Sequence, residues 1–266
     1  KRNAFSAAAR AAHVDAPKGV LLVGVPGTGK SLAAKAIAGG QMPLLRMDVG
    51  KLLGGGHVGE GEGNTRAALK VAEAVAPSVL WLDEIEKGMA DNGGASDGGV
   101  MMRVFGTLLT WMQETTSPVY VVATANDVRT LRPELLRRFD DVMWVGLPNA
   151  AGRREIIDVH LDKRGYHTNF DVEQYEPVVN ATWGFSGAEI EKVVKSAIET
   201  AFFEQVPLSI NHLLDAAAKI IPISVTMKDQ IDELVRWSNE RSVRPADEPI
   251  ESKPKAESRR MVGPEL

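Results

Sequence analysis

The chain of 266 residues contains no cysteine. Disulfides, zinc clusters, iron–sulfur centres and thiol nucleophiles are therefore excluded as sources of stability or chemistry, and the absence suits a reducing compartment. No stretch reaches the roughly 18 consecutive apolar residues that a membrane-spanning helix requires. The opening KRNAFSAAAR lacks the apolar core of a secretory signal. A cytoplasmic protein with no membrane partner is expected on these grounds. Nor is there an excess of basic charge: 31 Lys and Arg against 35 Asp and Glu leave a formal net charge of −4. Such a surface offers no general attraction to nucleic acid or anionic lipid, so nucleic acid is not an expected partner. The first residue is Lys1 rather than Met, as expected of a piece of a longer protein. What is present is ordinary for a globular chain, 44% hydrophobic and 25% charged residues, enough for one large domain or one with a smaller companion.

Five short apolar runs stand out: Gly19 to Val25, Leu44 to Val49, Val79 to Leu82, Val119 to Thr124 and Val142 to Leu147. Runs of this length suit strands buried on both faces, and their alternation with helical stretches predicts an α/β fold with a parallel five-stranded sheet covered by helices. The covering helices are Ser31 to Ala38, Thr65 to Ala76 and Met101 to Met112. The last carries Met101, Val104, Phe105, Leu108, Leu109 and Met112 at helical spacing. Past Pro148 the strand pattern stops. Arg153 to Lys163, Ser186 to Phe203, Ile210 to Ala218 and Met227 to Trp237 read as helices, with Ser186 and Glu189 spaced as a capping box. The expected organisation is an α/β domain over 1–148, a small all-helical domain over 149–238 and a charged, Pro-rich tail over 239–266. That tail has too few apolar residues to offset its ordering entropy and is expected to be disordered or partner-bound. The glycine-rich stretches Gly54 to Gly63 and Gly93 to Gly99 are expected to be mobile loops.

Three of the runs end in residues that carry chemistry. Gly24 to Ser31 reads GVPGTGKS between a predicted strand and a predicted helix, the context in which the phosphate-loop pattern has meaning. Glycines let backbone N–H groups curl round a β-phosphate, Lys30 sets a point charge against the β- and γ-oxygens, and the Ser31 hydroxyl reaches Mg²⁺ at the helix start. Pro26, Gly27, Thr28, Gly29, Lys30, Ser31 and Leu32 form this candidate nucleotide site; the competing reading is a turn that merely joins strand to helix. VLWLDE delivers two adjacent carboxylates to the C-terminal end of a strand, where ligands of open α/β sheets bind. Asp83 is the candidate metal ligand with Ser31, and Glu84 the candidate base for the attacking water, unless the pair only caps the next helix. VVATAN ends in Asn126, which either hydrogen-bonds the γ-phosphate or lytic water or is an Asn turn at a strand end. Arg137 and Arg138 in LRPELLRRFDD read on their own equally as dipole partners of a helix end or as surface charges.

GVPGTGKS, WLDEIEK, ATAND and LRPELLRRFDD, in this order from about Ala16 to Thr200, resemble the AAA clade of the AAA+ ATPases. Within it, LLRMDVGKL, VAPSVLWLDEIEK and SPVYVVATAND are similar to the stand-alone AAA proteins of cyanobacteria and plastids. The resemblance implies a P-loop AAA+ module whose helical part is a lid, located in the cytoplasm or, for an organellar chain, the plastid stroma. It implies that Arg137 and Arg138 are arginine fingers reaching the nucleotide of a neighbouring subunit. They are adjacent, as in katanin and spastin, whereas many relatives separate them by Pro-Gly, and which is the principal finger stays open. Ile156 and His160 match the lid position that contacts adenine and ribose, although His160 also fits a solvated helix residue. Gly187 and Ala188 stand where other AAA+ clades place a sensor arginine. In the first pore loop, relatives that thread polypeptide carry an aromatic residue two places before Gly-Glu; HVGEGE puts His57 there, followed by Val58.

The function this implies is an Mg-ATP hydrolase that assembles as a homo-oligomer, a six-membered ring, and remodels an unidentified protein partner. An ATP-dependent assembly switch or scaffold that threads nothing is the alternative, favoured by the missing pore-loop aromatic. DNA handling, as in AAA+ initiators, lacks the basic, aromatic-bearing segment it needs, and a small-molecule kinase has no use for Asn126 and the paired arginines.

Overall fold

The computed structural model describes residues 7–48, 60–88, 97–129, 131, 133–166, 170–241 and 243–246. Strands β1 (Gly19–Gly24), β2 (Leu44–Asp48), β3 (Ser78–Asp83), β4 (Val119–Ala125) and β5 (Asp141–Val145) coincide with the five apolar runs to within two residues. Every pairing is parallel and the spatial order is β2-β3-β4-β1-β5-β6. The sheet thus has six strands, not the five expected. The sixth, β6 (Arg244–Pro245), pairs with Met143 and Trp144 of β5, and the Ala246 N–H donates to the Trp144 carbonyl at 2.8 Å. Two residues are too few to leave a periodic signal, and a proline that cannot donate to a ladder is confined to an edge such as this.

Alternation along the strands sorts side chains between the two faces. Leu21 and Val23 of β1, Leu80 and Leu82 of β3, and Val121 and Ala123 of β4 enter one cluster; Val20, Leu22, Val79, Trp81, Tyr120 and Val122 enter the other. The first is covered by α3 (Glu60–Ala74) and α4 (Asp97–Glu114), which contribute Leu69, Phe105, Leu108 and Met112. The second receives Ala34 and Ala38 of α2 (Lys30–Ala38); the short α1 (Ala7–Ala11) precedes β1. Gly61 and Gly63 lie inside α3, and Gly98 and Gly99 inside α4, so these glycines, expected in loops, are carried by helices.

Helices α6 (Ala150–Asp162), α7 (Val172–Ala181), α8 (Gly187–Glu204) and α9 (Ile210–Ala218) form a third cluster around Ile157, Tyr175, Ile190, Val194 and Leu213. Helix α7 gave no sequence signal, because Pro177 interrupts its pattern. The start of α8 is the predicted capping box: the Ser186 N–H donates to Glu189 Oε2 at 2.8 Å, and the Glu189 N–H to Ser186 Oγ at 3.4 Å. Helix α11 (Lys228–Glu240), which follows the short α10 (Ile223–Thr226), packs differently from α6 to α9: its Leu234 and Trp237 lie in the sheet cluster with Leu21 and Val121. Of the residues assigned from sequence to the tail, Asn239 and Glu240 end α11, and Arg244 and Pro245 form β6.

Candidate active site

Because all strands run one way, their carboxyl ends share one edge, and the strand order places β4 between β1 and β3. Gly24, Ala125 and Asp83 therefore finish side by side. The loop after β1 turns through Gly27 (φ 76°) and Gly29 (φ 97°), the left-handed region that other residues avoid, and α2 begins at Lys30. A Cβ on Gly27 would also sit 3.1 Å from Ala188 Cβ and Ser186 Oγ, because the start of α8 docks here and the Ala188 N–H donates to the Gly27 carbonyl at 3.0 Å.

Lys30 is 5% exposed, and its Nζ donates to the carbonyls of Val25 at 2.7 Å and Gly24 at 2.9 Å. Burial pushes its pKa down to about 8, against the opposing pull of Glu86, Glu84 and Asp83. Asp83 is held by three donors: Arg46 Nη2 at 2.7 Å, Thr124 Oγ1 at 2.8 Å and Ser31 Oγ at 3.4 Å. Glu84 has φ 51°, unusual for a non-glycine residue and characteristic of functional sites. Its N–H donates to Thr124 Oγ1 at 3.1 Å, while its carboxylate accepts from Asn126 Nδ2 at 3.3 Å and pairs with Lys87 Nζ.

These groups open onto a cavity of ≈ 450 Å³. Its wall combines the phosphate loop from Pro26 to Leu32 with Asp83, Glu84, Thr124 and Asn126 on the sheet side and Ile156, His160, Gly187, Ala188 and Glu191 on the helical side. Backbone N–H donors at a helix start, one lysine, one carboxylate pair and an apolar wall suit a ligand with an anionic end and a flat apolar end. His160 is half-buried rather than solvated; burial holds its pKa below the ordinary value, and its Nδ1 lies 3.6 Å from Glu191 Oε1. Glu191 in turn accepts from Arg164 at 3.0 Å, which holds its carboxyl below the usual range.

Residues 20–147 match the sequence profile of the family described as ATPase family associated with various cellular activities (AAA). The chain carries an AAA domain. It is 42% identical over 246 residues to an uncharacterized AAA domain-containing protein, ycf46, of Guillardia theta, covering 90% of this chain and 48% of that protein. It is 37% identical over 191 residues to a proteasome-activating nucleotidase of Aeropyrum pernix, covering 69% of this chain and 46% of that protein. The chain thus spans about half the length of the curated relatives it matches. Among solved structures, the FIGL-1 AAA domain superposes with a TM-score of 0.70 at 25% identity, over 84% of this chain and 77% of that one.

Inside the matched residues 20–147 the phosphate loop, Asp83, Glu84 and Asn126, and beyond them Ile156, His160, Gly187 and Ala188, all reach one cavity. Arg137 and Arg138 do not. They follow the short helix α5 (Pro133–Leu136), Arg137 is exposed, and the Nε of Arg138 is buried without a hydrogen-bond partner. The pore-loop residues His57 and Val58 lie outside the described residues. No helix among the described residues is long and apolar enough to cross a membrane.

Sequence reasoning missed Thr124, Glu86 and Glu191. Thr124, 2% exposed, links Asp83 to the backbone of Glu84; its signal was a hydroxyl inside an otherwise apolar buried run. Glu86 was visible as the third acid of WLDEIEK. Glu191 had no local signal, since only the docking of α8 against α6 brings it to the cavity.

Proposed function

We propose that this AAA domain binds and hydrolyses Mg-ATP. The observation that carries the reading is the convergence of Lys30, Ser31, Asp83, Glu84 and Asn126 on one cavity at the carboxyl edge of the sheet. Ser31 Oγ and Asp83 Oδ1, 3.4 Å apart, are hard oxygen donors, and among the described residues no cluster of three or more His, Cys, Asp or Glu competes for a metal. Mg²⁺ is held by one or two protein oxygens together with phosphate and water, so the pair fits it; when bound it supplies charge neutralisation on the phosphates.

The protein's own groups divide the remaining work. Lys30 exchanges the Gly24 and Val25 carbonyls for phosphate oxygens, and the amides of Gly27 and Gly29 with Thr28 face the β-phosphate. Glu84 polarises the attacking water and Asn126 orients it. Ile156, His160, Gly187 and Ala188 receive adenine and ribose. Arg137 and Arg138 act in a neighbouring subunit's site, so the domain works as a homo-oligomeric ring of six. A relative named as a proteasome-activating nucleotidase favours a protein partner, and the α/β part over 1–148 moves against the lid over 149–238 to remodel it. The absence of an aromatic at His57 favours, as the second reading, an assembly switch that threads nothing.

Glu84→Gln keeps the shape of the site and removes the base. It is expected to bind ATP at wild-type affinity and to hydrolyse it at least about 100-fold more slowly, measured by phosphate release and by binding of a fluorescent ATP analogue. Turnover at the wild-type rate would remove Glu84 from the mechanism.

A further inference from the structure

The third carboxylate of the Asp83-Glu84-Ile85-Glu86 run does not line the cavity, yet Glu86 is the most deeply buried of the three acids, at 7% exposure. A buried carboxylate is costly unless its oxygens are hydrogen-bonded. Here one oxygen carries the whole load. Oε1 accepts from the Asn126 backbone N–H at 3.1 Å and from Asn126 Nδ2 at 3.2 Å, while Oε2 is buried with no partner. Among its described hydrogen-bond partners beyond its own turn, Glu86 thus serves a single residue, and burial holds its pKa above the usual carboxylate range.

The backbone explains how Glu86 gets there. Regular pairing of β3 with β4 ends at Leu82 and Ala123. Beyond it the strands are stitched by side chains: Thr124 takes the N–H of Glu84, and Glu86 takes the N–H of Asn126. The left-handed turn at Glu84 sends the chain into a short 3₁₀ turn, Ile85–Gly88. That turn leaves Glu84 on the cavity wall and carries Glu86 beneath Asn126. Each hydrogen of the Asn126 amide then has its own carboxylate, Glu84 Oε1 at 3.3 Å and Glu86 Oε1 at 3.2 Å. An Asn amide turns freely about its last torsion when unpartnered; gripped at backbone and side chain by the same oxygen, it has one orientation.

We propose that Glu86 is a positioning residue for ATP hydrolysis, which clamps Asn126 by its backbone and its amide so that this amide stays beside Glu84. The proposal rests on the reading of Glu84 and Asn126 as hydrolytic residues. Glu86 touches neither nucleotide nor water and transfers no proton. Its loss leaves two donors of Asn126 unpartnered and the amide held by Glu84 alone, at one long hydrogen bond of 3.3 Å. A glutamine at this position keeps an acceptor at the same reach.

The test uses the full chain, with ATP turnover measured against ATP concentration and nucleotide affinity measured separately. Glu86→Ala is expected to lower kcat about 10- to 100-fold, as loss of a supporting hydrogen bond does, with nucleotide affinity within about threefold of wild type. Glu86→Gln is expected to restore kcat to within about threefold of wild type, and Glu86→Ala to add no further loss in an Asn126→Ala background. If the alanine chain does not fold, Glu86→Met, of similar volume and without an oxygen acceptor, takes its place in both comparisons. Wild-type kcat in Glu86→Ala or Glu86→Met, no rescue by Gln, or an equal further loss in the Asn126→Ala background overturns the clamp. Asn126→Ala turning over at the wild-type rate overturns the role of Asn126 as well, whereas an impaired Asn126→Ala beside an unimpaired Glu86 variant overturns the clamp alone.

Discussion

Lys30 gives the candidate site a pH signature that a nucleotide must change. Its ammonium is buried among the loop carbonyls and titrates at about 8 in the nucleotide-free chain, because burial outweighs the attraction of Glu86, Glu84 and Asp83. A bound triphosphate sets negative charge against the ammonium and favours its protonated form, raising the pKa. Binding therefore takes up a proton wherever Lys30 was neutral beforehand, is strongest below pH 8, and weakens as the pH rises through that value. With a pKa of about 8 in the free chain and a return to the ordinary lysine value of about 10.4 in the complex, affinity falls about tenfold between pH 7 and pH 9, about 1.4 kcal/mol. Proton uptake rises over the same range from about 0.1 to about 0.9 per nucleotide. ATP itself, whose last phosphate proton leaves near pH 6, adds no slope above pH 8. Calorimetry of Mg-ATP binding to the Glu84→Gln chain, in two buffers of different ionisation enthalpy, reads affinity and proton uptake together. Lys30→Arg carries a guanidinium that does not titrate and should give a flat profile, whatever its absolute affinity. Affinity independent of pH between 8 and 9 with no uptake of protons would falsify the placement of Lys30 against the phosphates.

Three further outcomes are expected. Chains carrying Arg137→Ala and Arg138→Ala should lose turnover by about 10³- to 10⁵-fold, the worth of a finger in related enzymes, and mixing them with inactive Glu84→Gln chains should restore part of it; no recovery in a verified mixed assembly argues against a shared site. Trp237→Ala empties a place in the sheet cluster, where the indole is 9% exposed, and should cost about 3–5 kcal/mol in urea unfolding; a loss under about 1 kcal/mol, the scale of an ordinary surface change, would show that α11 is not anchored there. Ser186→Ala removes the cap of α8 and should cost about 1 kcal/mol, lowering the thermal midpoint by about 2–4 °C, as followed by circular dichroism; an unchanged midpoint would mean that the cap is replaced locally.

Much of this molecule is legible in the order of its residues. Strand runs such as GVLLVG and VYVVATA declare themselves because full burial demands apolar side chains on both faces, and Ser186 with Glu189 marks a helix start because orphan amides need nearby acceptors. The phosphate loop and the Asp83-Glu84 pair are legible for the same reason: each is a short contiguous piece whose chemistry depends on its own backbone. Other features depend on partners far along the chain. The order β2-β3-β4-β1-β5-β6 brings Lys30, Asp83 and Asn126 to one cavity, and no local pattern encodes that order. The two-residue strand β6 exists because α11 delivers it to β5, and α11 lies where it does because Leu234 and Trp237 find a sheet face rather than the helical cluster. Glu86 acquires a purpose only once Asn126, 40 positions later, lies above it. Periodicity and turn chemistry act over a few residues and can be read in line; which faces meet is set by the packing of the whole chain.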